Sequence, residues 1–241
     1  MWQSKKIAVI VPAYEEARLI GRMLRRVPDF VDAVYVVDDA SADGTSEAAR
    51  AVGDPRVRVI RHADNQGVGA AIRSGYQRAL DEAADVLVVM AGDDQMDPSD
   101  LARLIAPVVA GSADYVKGSR FEHREARRMP LARRAGSRVL SFATRLATGL
   151  DVNDCQCGYT ALAARAARTL PLAELWPRFG YPNDLLAMLA AHELCVAEVP
   201  VRPVYADEAS GLRPWHLLSI GFVIGRRWWL QRGEPSKRAQ M

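Results

Sequence analysis

The feature that most narrows the fold is a set of short apolar runs, each ending in polar residues and giving way to a helical pattern. Ile7-Ala8-Val9-Ile10-Val11 stops at Pro12 and is followed by Tyr14, Glu15 and Glu16. Ala33 to Val37 stops at Asp38-Asp39, and Val86-Leu87-Val88-Val89-Met90 leads into Asp93 and Asp94. Unbroken apolar runs of this length suit strands covered on both faces, and Val57 to Ile60 also reads as a strand. Between them, Glu15 to Arg26, Thr45 to Val52 and Val68 to Ala83 read as helices. Strands alternating with crossover helices predict an α/β chain with a mainly parallel central sheet flanked by helices. Ligands of such sheets sit beyond the carboxyl ends of the strands, which is where the polar residues fall.

Beyond Tyr115 the alternation loosens. Tyr115 to Gly118 reads as a brief strand, Leu131 to Thr148 and Pro182 to Ala191 as helices, and Cys195 to Val199 as a last strand. The chain divides into a body over residues 1–212 and a helical, amphipathic and basic tail over 213–241. At 241 residues, 49% hydrophobic and 25% charged, it has enough apolar surface for one sizeable core. The net charge of +3 is too small to imply a nucleic-acid partner, but eight arginines crowd between Arg120 and Arg145.

Several classes drop out. A dinucleotide-binding dehydrogenase places a glycine fingerprint after its first strand; here Pro12-Ala13-Tyr14-Glu15-Glu16 stands there, with no glycine before Gly21. Gly67 and Gly69 open a helix, and two readings stay open: a phosphate cradle or a tight turn. Asp39 with Ser41, Asp43 and Gly44 suits either ligand binding or helix capping. Asp93, Asp94, Gln95 and Asp97 offer oxygen ligands to a divalent cation, or form a solvated turn. The four histidines are scattered, and Cys155, Cys157 and Cys195 show no zinc-type pairing and read as reduced thiols of a cytoplasmic protein. No leader is expected where Met1 to Lys6 runs straight into a strand, and no stretch of 18 apolar residues predicts a spanning helix.

In order along the chain stand Val11-Pro12-Ala13-Tyr14-Glu15-Glu16, Val37-Asp38-Asp39-Ala40-Ser41-Ala42-Asp43-Gly44-Thr45, Asn65-Gln66-Gly67-Val68-Gly69 and Gly92-Asp93-Asp94-Gln95-Met96-Asp97-Pro98. This series resembles family 2 glycosyltransferases. Gly118-Ser119-Arg120-Phe121, Arg133-Arg134-Ala135-Gly136-Ser137-Arg138 and Asp154-Cys155-Gln156-Cys157-Gly158-Tyr159 narrow the resemblance to the dolichyl- and polyprenyl-phosphate mannosyl- and glucosyltransferase branch. It spans about residues 5 to 212. It implies a Rossmann-like GT-A fold, a nucleotide-diphosphate sugar donor of GDP-mannose or UDP-glucose type, Mg²⁺ or Mn²⁺, a lipid-linked phosphate acceptor and inversion at the anomeric carbon. Residue by residue, it implies nucleotide-sugar contacts at Pro12, Tyr14, Glu16, Val37, Asp39, Gly69 and Gly92. Asp93 and Gln95 match metal and diphosphate positions, Arg120 a donor-binding arginine, and Arg133 with Ser137 the grip on the acceptor phosphate. The chain departs from the pattern at Ala91, where the family usually has a metal carboxylate, so Asp94 is the expected substitute. It departs again at Thr160, where the family commonly has an arginine, and at Ser210-Gly211, where Arg213 would replace the usual lysine.

An acceptor phosphate is already ionised near pH 7 and needs positioning charge rather than a base (second pKa about 6). A sugar hydroxyl would need a general base, for which Asp184 or Asp154 is placed late in the chain. Asp93, Arg120 and Asp184 are therefore the expected catalytic group, and transfer to a hydroxyl or a nucleotide-binding inactive relative stay as alternatives. In the tail, Leu217 to Ile224 lies among Trp215, Trp228, Trp229, Arg226 and Arg227. It suits either a membrane interface or packing against the body or a second copy of the chain, and the first would place the protein at the cytoplasmic membrane face.

Overall fold

The computed structural model describes residues 1–121, 123–129, 131–204, 221–223 and 225–226, with backbone only at 127, 128 and 131–133. The strands are β1 (Ile7–Ala13), β2 (Ala33–Asp38), β3 (Val57–Arg61), β4 (Val86–Val89), β5 (Tyr115–Ser119), β6 (Thr160–Ala163) and β7 (Val196–Pro200). The helices are α1 (Ile20–Leu24), α2 (Thr45–Arg50), α3 (Val68–Asp81), α4 (Leu101–Val109), α5 (Leu131–Thr148), α6 (Ala164–Ala167) and α7 (Tyr181–Ala191).

One seven-stranded sheet has the order β3-β2-β1-β4-β6-β5-β7. β1 pairs in parallel with β2 and β4, β2 with β3, and β5 with β7. β6 alone runs against its neighbours β4 and β5. Reversing twice through β6 restores the direction, so β5 and β7 point the same way as β1 and β4. All six codirectional strands thus deliver their carboxyl ends to one edge, and that edge carries the site. β1, β2 and β4 are buried along their whole length, as their unbroken apolar runs require, whereas β3 at the sheet edge carries the half-exposed Arg58 and Arg61.

The helix expected from Glu15 begins only at Ile20. Glu15, at φ 57°, leaves the helical region, and the intervening N–H groups are taken by the loop after β2. Glu15 N–H donates to Ser41 Oγ at 2.9 Å, Glu16 N–H to Thr45 Oγ1 at 2.9 Å and Ala17 N–H to Asp43 Oδ2 at 3.0 Å. The two loops are stitched together, which holds Tyr14 and Glu16 at the strand edge. Three further elements, α4, β6 and α6, were not expected from the sequence.

Asp38, fully buried at the end of β2, accepts the Ser41 N–H at 2.8 Å, the Ser46 hydroxyl and Arg61 Nη1 at 3.0 Å. Burial pushes its carboxyl up, but these hydrogen bonds and the Arg61 charge outweigh burial and hold it below the ordinary value. Because the folded pKa is the lower one, the stability this group contributes is complete above the unfolded value of about 3.9. It is lost as pH falls through the depressed folded value. Asp38→Ala strands buried donors and is expected to cost about 1–3 kcal/mol at pH 7. Thermal melts should show the variant less stable at pH 7 and with a shallower loss between pH 4 and pH 2; parallel acid profiles would contradict this role.

Candidate active site

A cleft of about 870 Å³ opens over the carboxyl edge of the sheet. One wall comes from the ends of β1 and β2, with Pro12, Tyr14, Glu16 and Asp39. The loop after β4 brings Ala91, Gly92, Asp93 and Gln95, and the opposite wall carries Arg120, Ser137, Gln156 and Tyr159. Of the polar strand ends read from the sequence, Tyr14, Glu16, Asp39 and Asp93 are brought into one space, whereas Asp38 and Asp94 do not line it.

Asp39 is fixed by its own chain. Its carboxylate accepts the Gln66 and Gly67 N–H groups at 2.9 and 2.7 Å and lies 2.7 Å from His62 Nδ1. His62 Nε2 is in turn 2.9 Å from Ser74 Oγ. A carboxylate offers about four acceptor positions, so one lone pair remains for a ligand in the cleft.

The glycines after β3 have a reason that neither open reading anticipated. Residues 176–181 cross the start of α3, and Ala70 N–H donates to the Pro177 carbonyl at 3.0 Å. A Cβ on Gly69 would stand 2.0 Å from the Trp176 carbonyl oxygen, and one on Gly67 2.5 Å from that of Pro177. The helix start is covered by protein carbonyl, and Gly67, not Gly69, reaches the cleft. Gly69→Ala must push this crossing segment away. It is expected to cost about 1–3 kcal/mol as an overpacked contact, lowering the melting temperature by about 2–12 °C. An unchanged melt would mean that the crossing is not seated as described. Val37 is likewise not a cleft residue: it is buried within β2.

Asp93 and Gln95 both line the cleft, and Gln95 N–H donates to Asp93 Oδ1 at 3.1 Å. Asp94 does not substitute for the carboxylate missing at Ala91. At φ 57° it turns away, and its buried carboxylate meets Arg22 Nε at 2.6 Å and Arg26 Nη1 at 2.8 Å. One carboxylate and one amide oxygen fit a Mg²⁺ or Mn²⁺ that shares its coordination with a diphosphate, and do not fit a preformed protein cage. Consistently, among the described residues no group of three or more acidic, histidine or cysteine side chains is placed to hold a metal.

Arg120 is presented by β5 and clamped from behind. Its Nε and Nη2 reach Asp154 at 2.7 and 2.9 Å, and its backbone N–H donates to the same carboxylate at 3.1 Å. Glu198 on β7 accepts the Asn153 and Asp154 N–H groups at 2.7 and 2.9 Å, fixing that turn. Burial pushes the Asp154 carboxyl up, but the Arg120 hydrogen bonds and charge dominate and hold it below the carboxylate range. Beneath lies Lys117, fully buried, its Nζ donating to the Cys157 carbonyl at 2.6 Å. Asp184, expected as a base, is also buried and accepts the Trp176 N–H at 2.8 Å. Neither Asp154 nor Asp184 lines the cleft.

Ser137, near the start of α5, lines the cleft. Arg133 precedes it by one turn on the same helix, and the Arg133 side chain, Arg213, Trp215, Arg227, Trp228 and Trp229 lie outside the described residues. Two cleft arginines escaped the sequence reading, Arg178 and Arg202. Arg202 was findable, because it follows a strand whose direction places its carboxyl end at the site. Its guanidinium lies 3.2 Å from Glu125 and 3.6 Å from Asp97.

A parallel-dominated sheet with one reversed strand, and a cleft of acidic and basic residues over its carboxyl edge, define a GT-A protein. The fold superposes on glucosyl-3-phosphoglycerate synthase from Mycobacterium tuberculosis, in complex with Mn²⁺, uridine-diphosphate-glucose and phosphoglyceric acid. The TM-score is 0.72 at 21% identity, over 97% of this chain and 82% of that one. Residues 8–170 match the model of glycosyl transferase family 2, and the chain belongs to that family. Among its relatives, the UDP-N-acetylglucosamine–dolichyl-phosphate N-acetylglucosaminyltransferase of Methanococcus voltae is 31% identical over 91% of this chain and 93% of its own. The undecaprenyl-phosphate mannosyltransferase of Micrococcus luteus is 31% identical over 98% of this chain and 99% of its own.

Proposed function

We propose that this glycosyltransferase moves a hexose-type sugar from a nucleotide-diphosphate donor to the phosphate of a polyprenyl or dolichyl lipid, with inversion. The observation that carries the choice of acceptor is the state of Asp154 and Asp184. Both late-chain carboxylates suited to serve as a base are buried and engaged by protein donors, Asp154 by Arg120 and Asp184 by the Trp176 N–H. A hydroxyl acceptor would need such a base; an ionised phosphate does not. The lipid-phosphate relatives from M. voltae and M. luteus, matched over nearly their whole length, support the same acceptor class.

In this reading Pro12, Tyr14, Glu16 and Asp39 hold the nucleoside, and Asp93 and Gln95 face the diphosphate. Mg²⁺ or Mn²⁺, when bound there, supplies positive charge to the leaving diphosphate. Arg120 holds the donor against the wall where Ser137, with Arg133 one turn before it, meets the acceptor. An acceptor phosphate oxygen attacks the anomeric carbon from the face opposite the diphosphate. The new carbon–oxygen bond forms as the bond to the diphosphate oxygen breaks, and the nucleoside diphosphate leaves with that electron pair. The test is incubation with UDP- and GDP-sugars labelled in the sugar, with undecaprenyl or dolichyl phosphate in detergent. Label entering the organic phase as a sugar-phosphate lipid supports the reading. Label found only on a saccharide or a small hydroxyl compound would replace it.

A further inference from the structure

Gln156 lines the cleft on the wall that carries Arg120 and Ser137, and its backbone is pinned on both sides. Before it, Cys155 N–H donates to Ser141 Oγ on α5 at 3.0 Å; after it, the Cys157 carbonyl accepts from Lys117 Nζ on β5 at 2.6 Å. Its side chain is the last member of a buried hydrogen-bond relay. The Thr144 hydroxyl donates to the Leu140 carbonyl one turn back on α5 at 2.8 Å, so its oxygen is left as an acceptor. Asn183 on α7, itself buried, donates from Nδ2 to that oxygen at 2.7 Å, which gives its Oδ1 to Gln156. Gln156 Nε2 then donates to Asn183 Oδ1 at 3.0 Å and to the buried Cys155 Sγ at 3.2 Å. Both amide hydrogens of Gln156 are thereby spent on the protein interior, and among the described residues no donor meets its Oε1. The cleft is offered a carbonyl oxygen of fixed orientation.

We infer that Gln156 reads the sugar being transferred: its Oε1 accepts a hydrogen bond from a hydroxyl of the hexose, and the relay through Asn183 to Thr144 holds it in that polarity. An atom that can only accept selects this ligand. The diphosphate and an ionised acceptor phosphate present oxygen acceptors, which a carbonyl oxygen cannot bond and repels. A sugar presents hydroxyl donors. The inference rests on the donor reading proposed above. With the diphosphate at Asp93 and Gln95 and the acceptor at Ser137, the sugar between them lies along the wall that carries Gln156. The nucleoside, beside Tyr14 and Asp39, keeps its own donors at the other wall. A site built to hydrogen-bond a substrate hydroxyl discriminates against the analogue that lacks it, which makes Gln156 a specificity-determining residue. Asn183 and Thr144, buried behind it and outside the cleft, act through Gln156 as positioning residues.

The test compares nucleotides with sugar nucleotides, by calorimetry on the full chain with Mn²⁺ and without any acceptor. The probes are UDP, UDP-glucose, GDP and GDP-mannose. To these are added forms of the two sugar nucleotides in which one sugar hydroxyl at a time is replaced by fluorine, which cannot donate. Gln156→Met keeps the length of the side chain and removes the carbonyl. It should weaken binding of the sugar nucleotide about three- to tenfold, the scale of one neutral hydrogen bond, and leave binding of the nucleotide alone unchanged. In the wild type, one fluorinated analogue should bind more weakly by the same factor, and Gln156→Met should show no further loss with that analogue. Unchanged sugar-nucleotide binding in the variant would overturn the inference. So would equal weakening toward nucleotide and sugar nucleotide, because Gln156 would then act on the diphosphate or on the fold. A wild type indifferent to every fluorine substitution would overturn it too, and that comparison stands even if Gln156→Met does not fold. These outcomes sink only the role of Gln156. A wild type that binds none of the probes sinks the donor reading, and the inference with it.

Discussion

Asp93→Ala is expected to lower sugar transfer by at least about 100-fold, the scale on which removing one preorganised charge contact at a reacting centre acts. Asp93 is the carboxylate that faces the cleft on the loop after β4, and Ala91 supplies none. The loss should appear in donor binding as well as in turnover. Titration calorimetry should find that divalent metal no longer strengthens nucleotide binding to the variant. Asp94→Asn is the informative neighbour. Asparagine tolerates the positive φ at this position, and the change breaks the contacts to Arg22 and Arg26. It should lower the melting temperature while leaving metal-dependent nucleotide binding intact. The reverse result, binding lost at Asp94 and kept at Asp93, would mean that the loop presents the other carboxylate to the ligand.

The second large effect is expected behind the cleft. Asp154→Asn removes the Asp154 charge that Arg120 meets with two guanidinium nitrogens and takes a carboxylate from the buried set around Lys117. Breaking a buried ion pair from one side costs about 3–5 kcal/mol. For a chain of this size that corresponds to a fall of about 6–20 °C in melting temperature. Asp154 acts through Arg120, so kcat/KM should fall in the surviving folded protein. Arg120→Lys keeps the charge but not the two-pronged geometry, and should lose activity with a smaller loss of stability. Unchanged melting in Asp154→Asn would show that the pair does not hold the wall. Unchanged activity in Arg120→Lys would show that its fork does not position the donor.

These two cases mark where sequence reading works and where it stops. β1, β2 and β4 were legible because burial on both faces leaves an unbroken apolar run. α5 was legible to its ends, Leu131 and Thr148, by its helical period. α4 carries Leu101, Leu104, Ile105 and Val108 on one buried face, a period that could have been read. β6, four residues long and reversed, carries no comparable signal. The convergence of Pro12, Tyr14, Glu16, Asp39, Asp93, Gln95, Arg120 and Ser137 on one cleft followed from strand direction and motif order. What composition cannot show is the partner each charge chooses in space. Asp94 lies beside cleft-facing Asp93 in the chain, yet pairs with arginines about 70 positions away. Asp184 is spent on a backbone N–H. Arg178 enters the site because the segment before α7 folds back over it.

In the proposed reaction this cleft holds a nucleoside diphosphate against Asp93 and Gln95. Calorimetric titration of the wild-type protein with UDP and with GDP, each with and without Mg²⁺ or Mn²⁺, tests it most directly. Micromolar binding of one of the two nucleotides, strengthened by metal, is the expected result. A folded protein that binds neither nucleotide under any of these conditions would contradict it.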